Sequence, residues 1–240
     1  MVDNKELDIK YRIRLDIKKD AWNWYDGCTN TPFHGNDWTK GIPKEIIEKL
    51  QNSSEKEAYE FLIPFLKNKY ITDKKQIKKH RALLKNKYEQ KLNIACKKVE
   101  DLLGKPIYNK DFTIFLTTFP RGPYNPYRGY MWEYVGWKDQ IVGFLHELLH
   151  FQFVHYWRDN PDSPVNKLSW EQFDYLKEAL TMILDEDLVP LIEWPDKGYE
   201  KHKELRKELT EFWKNNKNFN DLVEFGLKRI VHYVPSKKSK

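Results

Sequence analysis

Residues 141–154 place the strongest constraint on how this 240-residue chain can fold. They are apolar on nearly every side of a helix, and His146, Glu147 and His150 are among the polar exceptions. A helix that is apolar all round is stable only when the rest of the protein buries it. Imidazole and carboxylate groups on such a helix cost free energy unless they are paired or bound to something. The segment therefore predicts a buried helix that carries a functional site.

The spacing of these polar residues indicates a metal site. His146 and His150 are four positions apart, so a helix places them on one face, about 6 Å apart, where both can bind one metal ion. Glu147 follows His146 and can reach a water molecule at the metal without being a ligand, which is the position of a general base. The alternative is that both histidines are core residues with satisfied hydrogen bonds.

A catalytic zinc site has a third protein ligand, and Glu178 is the best placed candidate. It lies in the middle of a helix predicted over residues 170–189, which a capping box of Ser169 and Gln172 opens and Pro190 closes. Two antiparallel helices joined by the short connection between them would bring Glu178 opposite His146. The sequence therefore predicts that Glu178 completes the site.

The sequence also allows a different interpretation of Glu178 and offers one further histidine as a candidate. Glu178 can instead lie on the solvated side of its helix together with Lys177. His155 is a further histidine nearby, but it follows His146 by nine residues, about 900° of helical rotation, and so faces the other way. We therefore expect His155 to lie outside the site.

The remaining pattern predicts a mainly helical α+β fold with a small sheet. Alternation of polar and apolar residues indicates a strand at residues 11–17, and a β-branched and aromatic run indicates another at residues 112–118. Tyr130 and its successors to Tyr134 are able to form a short edge strand. Residues 21–38, rich in Trp, Asn and Gly, predict a loop whose aromatic side chains cover the core.

Helical spacing of apolar residues predicts most of the rest of the chain. Pro43 and the capping box of Ser54 and Glu57 open two shorter helices, and Gly104 ends a long one. The longer helices are expected over residues 73–103, 138–157, 170–189, 199–214 and 221–230. We expect one domain over residues 1–240, with an N-terminal strand and helical part (1–105), a metal-site core (106–190) and C-terminal helices (191–240).

The motif resembles that of the gluzincin group of zinc metallopeptidases, of which thermolysin is a member. The resemblance rests on His-Glu-Leu-Leu-His at residues 146–150 and on Glu178 within Lys-Glu-Ala-Leu-Thr, 28 positions after His150. It implies a zinc ion held by His146, His150 and Glu178, with Glu147 as general base and proton shuttle. It also implies a zincin-like sheet whose edge strand, residues 129–134, packs on the motif helix and pairs with an extended peptide or protein substrate.

The chain differs from this group in the residue that orients a ligand histidine and in the residue that stabilises the transition state. The family places an aspartate four residues after the glutamate ligand, where this chain has Met182; Asp174 or Asp185 can orient a ligand histidine instead. No residue of this chain can be aligned with the His or Tyr by which the family stabilises the transition state. The candidates are Tyr130, Tyr199, His202 and His232.

Charge and termini exclude little but favour an intracellular protein. The net charge of +6 arises from 42 basic and 36 acidic residues, so a dedicated nucleic-acid surface is not expected. Residues 1–10 lack the order of a secretory signal, and no apolar stretch is long enough to span a bilayer, so we expect a cytoplasmic protein without a membrane partner. Cys96 falls on an apolar helical stripe and is expected to be buried.

The leading hypothesis is a small zinc-dependent hydrolase, a metallopeptidase that uses a metal-activated water with Glu147 as general base. Two alternatives stay open. The fold can keep the metal site and act as a catalytically silent binding or regulatory protein, or the chain can be a basic, helical protein that binds nucleic acid. The sequence does not indicate the oligomeric state.

Overall fold

The protein is described here by a computed structural model that covers residues 7–30, 35–138 and 140–235, the side chain of residue 140 excepted. It is a mainly helical α+β fold with a small mixed sheet, as predicted. The strands are β1 (Lys10–Leu15), β2 (Asp111–Thr117), β3 (Tyr124–Asn125) and β4 (Tyr130–Tyr134). The helices are α1 (Ile17–Thr29), α2 (Lys44–Gln51), α3 (Glu55–Thr72), α4 (Lys74–Leu103), α5 (Gln140–Phe153), α6 (Trp170–Leu180), α7 (Ile183–Asp187), α8 (Lys203–Asn215) and α9 (Phe219–Tyr233).

The chain divides into two compact units. The sheet unit comprises Lys10–Gln90 and Asp111–Gln140, and the helical unit comprises Met1–Ile9, Lys91–Lys110 and Ile141–Lys240. The expectation of one domain with three parts stays a prediction. Among the described residues, no helix combines the length and the apolar composition that spanning a bilayer requires.

The sheet unit is built on strands in the order β1-β2-β4-β3. The strand β2 is parallel to β1 and to β4, and β3 is antiparallel to β4. Burial on both faces explains why residues 112–116 of β2 are apolar apart from Thr113, instead of alternating between apolar and polar. The two longer strands predicted from the sequence are confirmed, each within two residues of its expected bounds.

β4 forms at the predicted residues, but the expectation that it is an edge strand is wrong over its first half. Tyr130 and Met131 pair with Asn125 and Tyr124 of β3, which covers that side of the strand. The chain can fold back in this way because Gly129 adopts the left-handed conformation, with φ of 63°. The packing of this strand on the motif helix stays a prediction.

The loop predicted over residues 21–38 is wrong in its first half, which belongs to helix α1. The carboxylate of Asp16 caps this helix by accepting hydrogen bonds from the backbone N–H groups of Lys18 and Lys19, at 2.9 and 3.2 Å. Ala21, Trp24 and Cys28 then face the core at helical spacing, together with Leu62, Leu66 and Phe119. The aromatic side chains cover a core, as expected; Phe33 and His34 lie outside the described residues.

The helical unit is centred on α6, whose residues from Gln172 to Leu180 are all buried. Helices α8 and α9 pack against α6 and against each other. Their buried residues recur at helical spacing, which explains why both form: Leu205, Leu209 and Trp213 on α8, and Leu222, Val223 and Ile230 on α9. The predicted capping box of Ser169 and Gln172 opens α6, and that of Ser54 and Glu57 opens α3.

The single helix predicted over residues 170–189 is wrong, because the chain breaks between α6 and α7. The carbonyl oxygen of Glu178 accepts hydrogen bonds from the Thr181 hydroxyl (2.9 Å) and from Nη1 of Arg206 (3.4 Å). The N–H of Met182 donates instead to Ala179, three residues back. These contacts replace the α-helical hydrogen bond between the N–H of Met182 and the carbonyl of Glu178, and α6 ends within one turn of Glu178.

Candidate metal centre

Helices α5 and α6 bring three predicted ligands together. One ligand atom from each of His146, His150 and Glu178 lies within 4.8 Å of the others, so the group could hold a metal ion. Nε2 of His146 is 3.3 Å from Oε2 of Glu178, and Nε2 of His150 is 3.1 Å from Oε1. The carboxylate thus faces both imidazoles, and both Nε2 atoms point to the same place.

Packing within the helical unit explains why Glu178 reaches the histidines. Phe153, at the end of α5, stacks on Phe173 of α6 with ring centroids 5.7 Å apart and planes nearly parallel. On α6, the side chain of Gln172 donates to the carbonyl of Val234, which ties the start of the helix to the end of α9. Glu178 is therefore held on a buried, fixed helix, and its solvated alternative is wrong because only 4% of the residue is exposed.

Glu147 lies beside the three ligands with a buried carboxylate. Within the described residues, its Oε2 is buried and makes no hydrogen bond. Burial, and the Glu178 carboxylate after it, raise the pKa of Glu147 to about 8, against a lowering by His146. A polar atom enclosed without a partner marks a place where a further group is expected to bind.

The sequence did not single out Asp196, which also contacts this group. Its Oδ2 lies 3.2 Å from Nδ1 of His146, on the ring nitrogen that faces away from the ligand cluster. A carboxylate in this position fixes the tautomer and the orientation of a ligand histidine. Asp196 lies in the irregular segment before α8, where the sequence shows only turn residues such as Pro195 and Gly198.

Burial and the charges of neighbouring groups shift the pKa values of all three residues. Burial lowers the pKa of His146, but the carboxylates of Asp196 and Glu178 outweigh burial and hold it well above its ordinary value. Burial raises the pKa of Glu178, but Lys177 and the two histidines outweigh it and hold it well below its ordinary range. Burial also lowers the pKa of His150 to about 3, so this ring is neutral, the form that binds a metal.

Arg206 of α8 links Asp196 to the end of α6. Its guanidinium donates to the carbonyl of Asp196, to the hydroxyl of Thr181 at 2.6 Å and to the carboxylate of Asp185 at 3.1 Å. Gly198 makes room for it: φ is +61°, and a β-carbon at this position would lie 2.9 Å from Arg206. The arginine therefore contacts both the end of the helix that carries Glu178 and the aspartate behind His146.

The two aspartates expected to orient a ligand histidine contact other residues. Oδ1 of Asp185 accepts from the N–H of Asp196 at 2.7 Å, so Asp185 supports the residue that contacts His146. Asp174 forms an ion pair with Lys177 at 3.1 Å, and Lys177 in turn lies 2.8 Å from Oε1 of Glu178. Both carboxylates therefore act on the site through a neighbour.

The four candidates for stabilising a transition state have different surroundings, although the rings of Tyr199 and His202 meet edge-on with centroids 5.6 Å apart. Tyr199 interacts with the cluster through charge: burial, and then the carboxylates of Glu178 and Glu147, raise its pKa, so its O–H is retained. His202 is buried against Tyr175, with ring centroids 4.3 Å apart. His232 is exposed on α9, and Tyr130 belongs to the sheet unit, where its ring meets Phe115 edge-on.

His155 lies away from the ligand group, as expected. It is exposed in a single π-helical turn, Val154–Arg158, that continues α5, and its ring stacks on Tyr108 with centroids 4.2 Å apart. Its spacing from His146 placed it on another side of the helix, and the structure agrees. The second histidine of the site is His150.

The donor set fits a divalent metal ion. Two imidazoles and one carboxylate form a recognised set of protein ligands for a catalytic metal, and the buried Oε2 of Glu147 makes no hydrogen bond among the described residues. Comparison of the chain with protein-family models, with curated proteins and with solved structures finds no match in any of the three. The function must therefore be argued from the site itself.

Proposed function

We propose that the protein is a zinc-dependent hydrolase, and specifically a peptidase of the gluzincin type. The observation that carries the proposal is the convergence of His146, His150 and Glu178, from two helices, with ligand atoms within 4.8 Å and Glu147 beside them. Burying two imidazoles and two carboxylates in one place is costly unless these groups are paired or bind an ion. Asp196 behind His146 adds the orienting carboxylate that such sites commonly contain.

Zinc is the metal that this donor set favours. Two imidazoles and one carboxylate are typical of catalytic zinc rather than of calcium or magnesium, which prefer oxygen ligands. When bound, zinc supplies Lewis acidity, which activates a water molecule and polarises a carbonyl group. The rest of the mechanism depends on side chains of this chain.

Glu147 is the proposed general base and acid. Its carboxylate accepts a proton from the attacking water and then delivers that proton to the nitrogen of the leaving amine, so the protons balance over one cycle. Its buried Oε2, which makes no hydrogen bond within the described residues, is available for that proton. Its place between the two ligand histidines in sequence keeps it near the metal without making it a ligand.

Tyr199 is the proposed donor to the developing oxyanion. Its pKa is raised by burial and then by the carboxylates of Glu178 and Glu147, so its hydroxyl keeps its proton. A neutral phenol fixed beside the reacting carbonyl can stabilise the negative charge of a tetrahedral intermediate. Of the four candidates from the sequence, Tyr199 is the one best supported by its surroundings.

Metal analysis and two variants test the proposal. Purified protein is expected to contain one zinc per chain; Glu147→Gln should retain the metal and lose cleavage of a broad peptide library, whereas His150→Ala should lose both. His155→Ala, which removes an exposed histidine just beyond the same helix, is the matched control and should retain both. A wild-type protein that binds no stoichiometric metal would contradict the proposal.

The same measurements separate the alternatives. Zinc bound by wild-type protein, with no cleavage that depends on Glu147, would favour a catalytically silent binding or regulatory protein. Association with nucleic acid that weakens steeply with salt and is indifferent to chelators would favour the third reading. Substrate identity, peptide or protein, follows from the sequences that the library screen finds cleaved.

A further inference from the structure

Lys177 is a buried cation in direct contact with a proposed metal ligand. Only 4% of the residue is exposed, although lysine is among the residue types least often buried. Its Nζ lies 2.8 Å from Oε1 of Glu178 and 3.1 Å from Oδ1 of Asp174. The ammonium group therefore lies between a proposed metal ligand and a second buried carboxylate.

The ion pairs of Lys177 stabilise and orient Glu178 in the absence of a metal. Removing an ammonium and two carboxylates from water is costly, and their mutual attraction offsets that cost only when the geometry is close, as it is here. Lys177 holds Oε1 of Glu178 while Oε2 faces Nε2 of His146 at 3.3 Å. The carboxylate is thus neutralised and already oriented toward the imidazoles.

A bound divalent ion would meet the same ammonium as a repelling charge. Near a protein interior, like charges a few ångströms apart repel by more than the free energy of a tenfold change in affinity. Lys177 also withdraws electron density from the oxygen atoms of Glu178, which makes the carboxylate a weaker ligand. Both effects oppose the metal while they stabilise the site without it.

We infer that Lys177 is a resident counter-ion of Glu178, which keeps the metal-free site folded and lowers its affinity for the metal. Asp174 moderates the effect, because its carboxylate shares the ammonium and offsets part of its charge. The inference rests on the metal site of the proposed function and is independent of whether the protein hydrolyses anything. With this counter-ion, the site can bind and release the metal while the helical unit stays folded.

The two partners of this ion pair give variants with opposite expected effects. Lys177→Met should bind zinc about tenfold more tightly or better, because the repelling charge is gone. Asp174→Asn should bind zinc several-fold more weakly, because the ammonium loses its other carboxylate. A residue that matters only for packing would shift both variants in the same direction, so opposite signs separate the two roles.

Zinc affinity is measured by competition with a chromophoric chelator, and thermal unfolding is followed with and without zinc. Without metal, Lys177→Met should unfold roughly 5 to 15 °C below wild type, and zinc should restore most of the loss. Lys177→Arg keeps the charge, so its zinc affinity should lie closer to that of wild type than the affinity of Lys177→Met does. Lys228→Met, which removes an exposed lysine from α9 of the same unit, is the control and should leave affinity nearly unchanged.

The outcomes are distinct from those of the proposed function. If wild-type protein binds no zinc, the metal proposal itself fails; if it binds zinc and Lys177→Met binds no more tightly, only the counter-ion inference fails. Recovery of folded Lys177→Met only when zinc is present supports the inference. If that variant does not fold even with zinc, Asp174→Asn decides: weaker binding supports the inference, and equal or tighter binding overturns it.

Discussion

Nδ1 of His146 donates a hydrogen bond to Oδ2 of Asp196 across 3.2 Å, although the two residues lie fifty positions apart in the chain. The contact joins α5 to the irregular segment before α8, and Arg206 holds the far side of Asp196. Since Nε2 of the same ring faces Glu178, the carboxylate decides which nitrogen is left for a metal. The orientation of one proposed ligand therefore depends on a residue outside the motif.

Replacing Asp196 by asparagine tests this contact. Asp196→Asn keeps the size of the side chain and removes its charge, and zinc affinity is expected to fall about 10- to 100-fold. The dissociation constant is measured by chelator competition at mildly alkaline pH. Asp162→Asn, an exposed aspartate on the connection between α5 and α6, should leave affinity unchanged; an equal effect of both variants would refute a specific role for Asp196.

Arg206 is expected to stabilise the helical unit as well as the site. Arg206→Met leaves the carboxylates of Asp185 and Asp196 without their cation and should lower the free energy of unfolding by about 3 to 5 kcal/mol. Arg229→Met is the comparison, because that guanidinium pairs with Glu208 at a side chain that is 38% exposed and should cost under about 1 kcal/mol. Urea titration of both variants checks the ranking, which equal losses would contradict.

The sheet unit also contains a buried carboxylate, that of Asp20. It accepts hydrogen bonds from the hydroxyls of Thr117, Thr118 and Tyr70 and from the N–H of Thr118, at 2.6 to 3.0 Å. Asp20→Asn turns an amide N–H₂ toward one of these donors and should lower the free energy of unfolding by about 1 to 3 kcal/mol. Denaturant unfolding measures the loss, and a neutral substitution would argue against the network.

The same variant has a pH dependence of definite sign. Burial raises the pKa of Asp20 above its ordinary value of 3.8, in spite of the hydrogen bonds that lower it. The stability that this group contributes is therefore fully present below that value and is lost as pH rises through the pKa of the folded state. The difference in unfolding free energy between wild type and Asp20→Asn should be largest in acid and shrink toward neutral pH; growth toward neutral pH would contradict this.

The two cysteines should be silent toward thiol reagents in the native protein. Burial raises the pKa of the Cys28 thiol to about 11, and burial followed by Glu100 raises that of Cys96 still further. Because the thiolate is the reactive form, reaction with an aromatic disulfide reagent at neutral pH should require unfolding. In a Cys96→Ser variant, any native reaction should speed up about tenfold per pH unit toward the pKa of Cys28; rapid labelling of native protein at neutral pH would contradict the burial.

Several local features of the fold follow from short stretches of sequence. The capping boxes at Ser54 and Ser169, the end of α4 at Gly104 and the apolar spacing of α8 all form as predicted, because each depends on residues within one or two helical turns. The helical start of residues 21–38 was missed for a local reason. Asn and Gly in that stretch favour loops, and only the cap at Asp16 and the core beneath Trp24 outweigh them.

The break after α6 illustrates what local pattern cannot show. Residues 170–189 carry a continuous helical pattern, yet Arg206 on another helix takes up the carbonyl of Glu178 and ends α6 there. Lys177 was likewise a plausible solvent-facing residue from its sequence neighbours. Its burial between Asp174 and Glu178 depends on how α6 is surrounded, and no periodicity within α6 encodes that.

The sequence by itself determined that His146 and His150 share one face of a buried helix with Glu147 beside them, because helical geometry places residues four apart together. The expectation that Glu178 joins them also came from the sequence, through its place among apolar neighbours. Only the tertiary structure decided that Asp196 lies behind His146, that Arg206 braces it and that Lys177 faces Glu178. The physical reason is range: spacing along one helix is a local property, whereas the groups that orient and neutralise these ligands come from segments whose meeting depends on the packing of the whole unit.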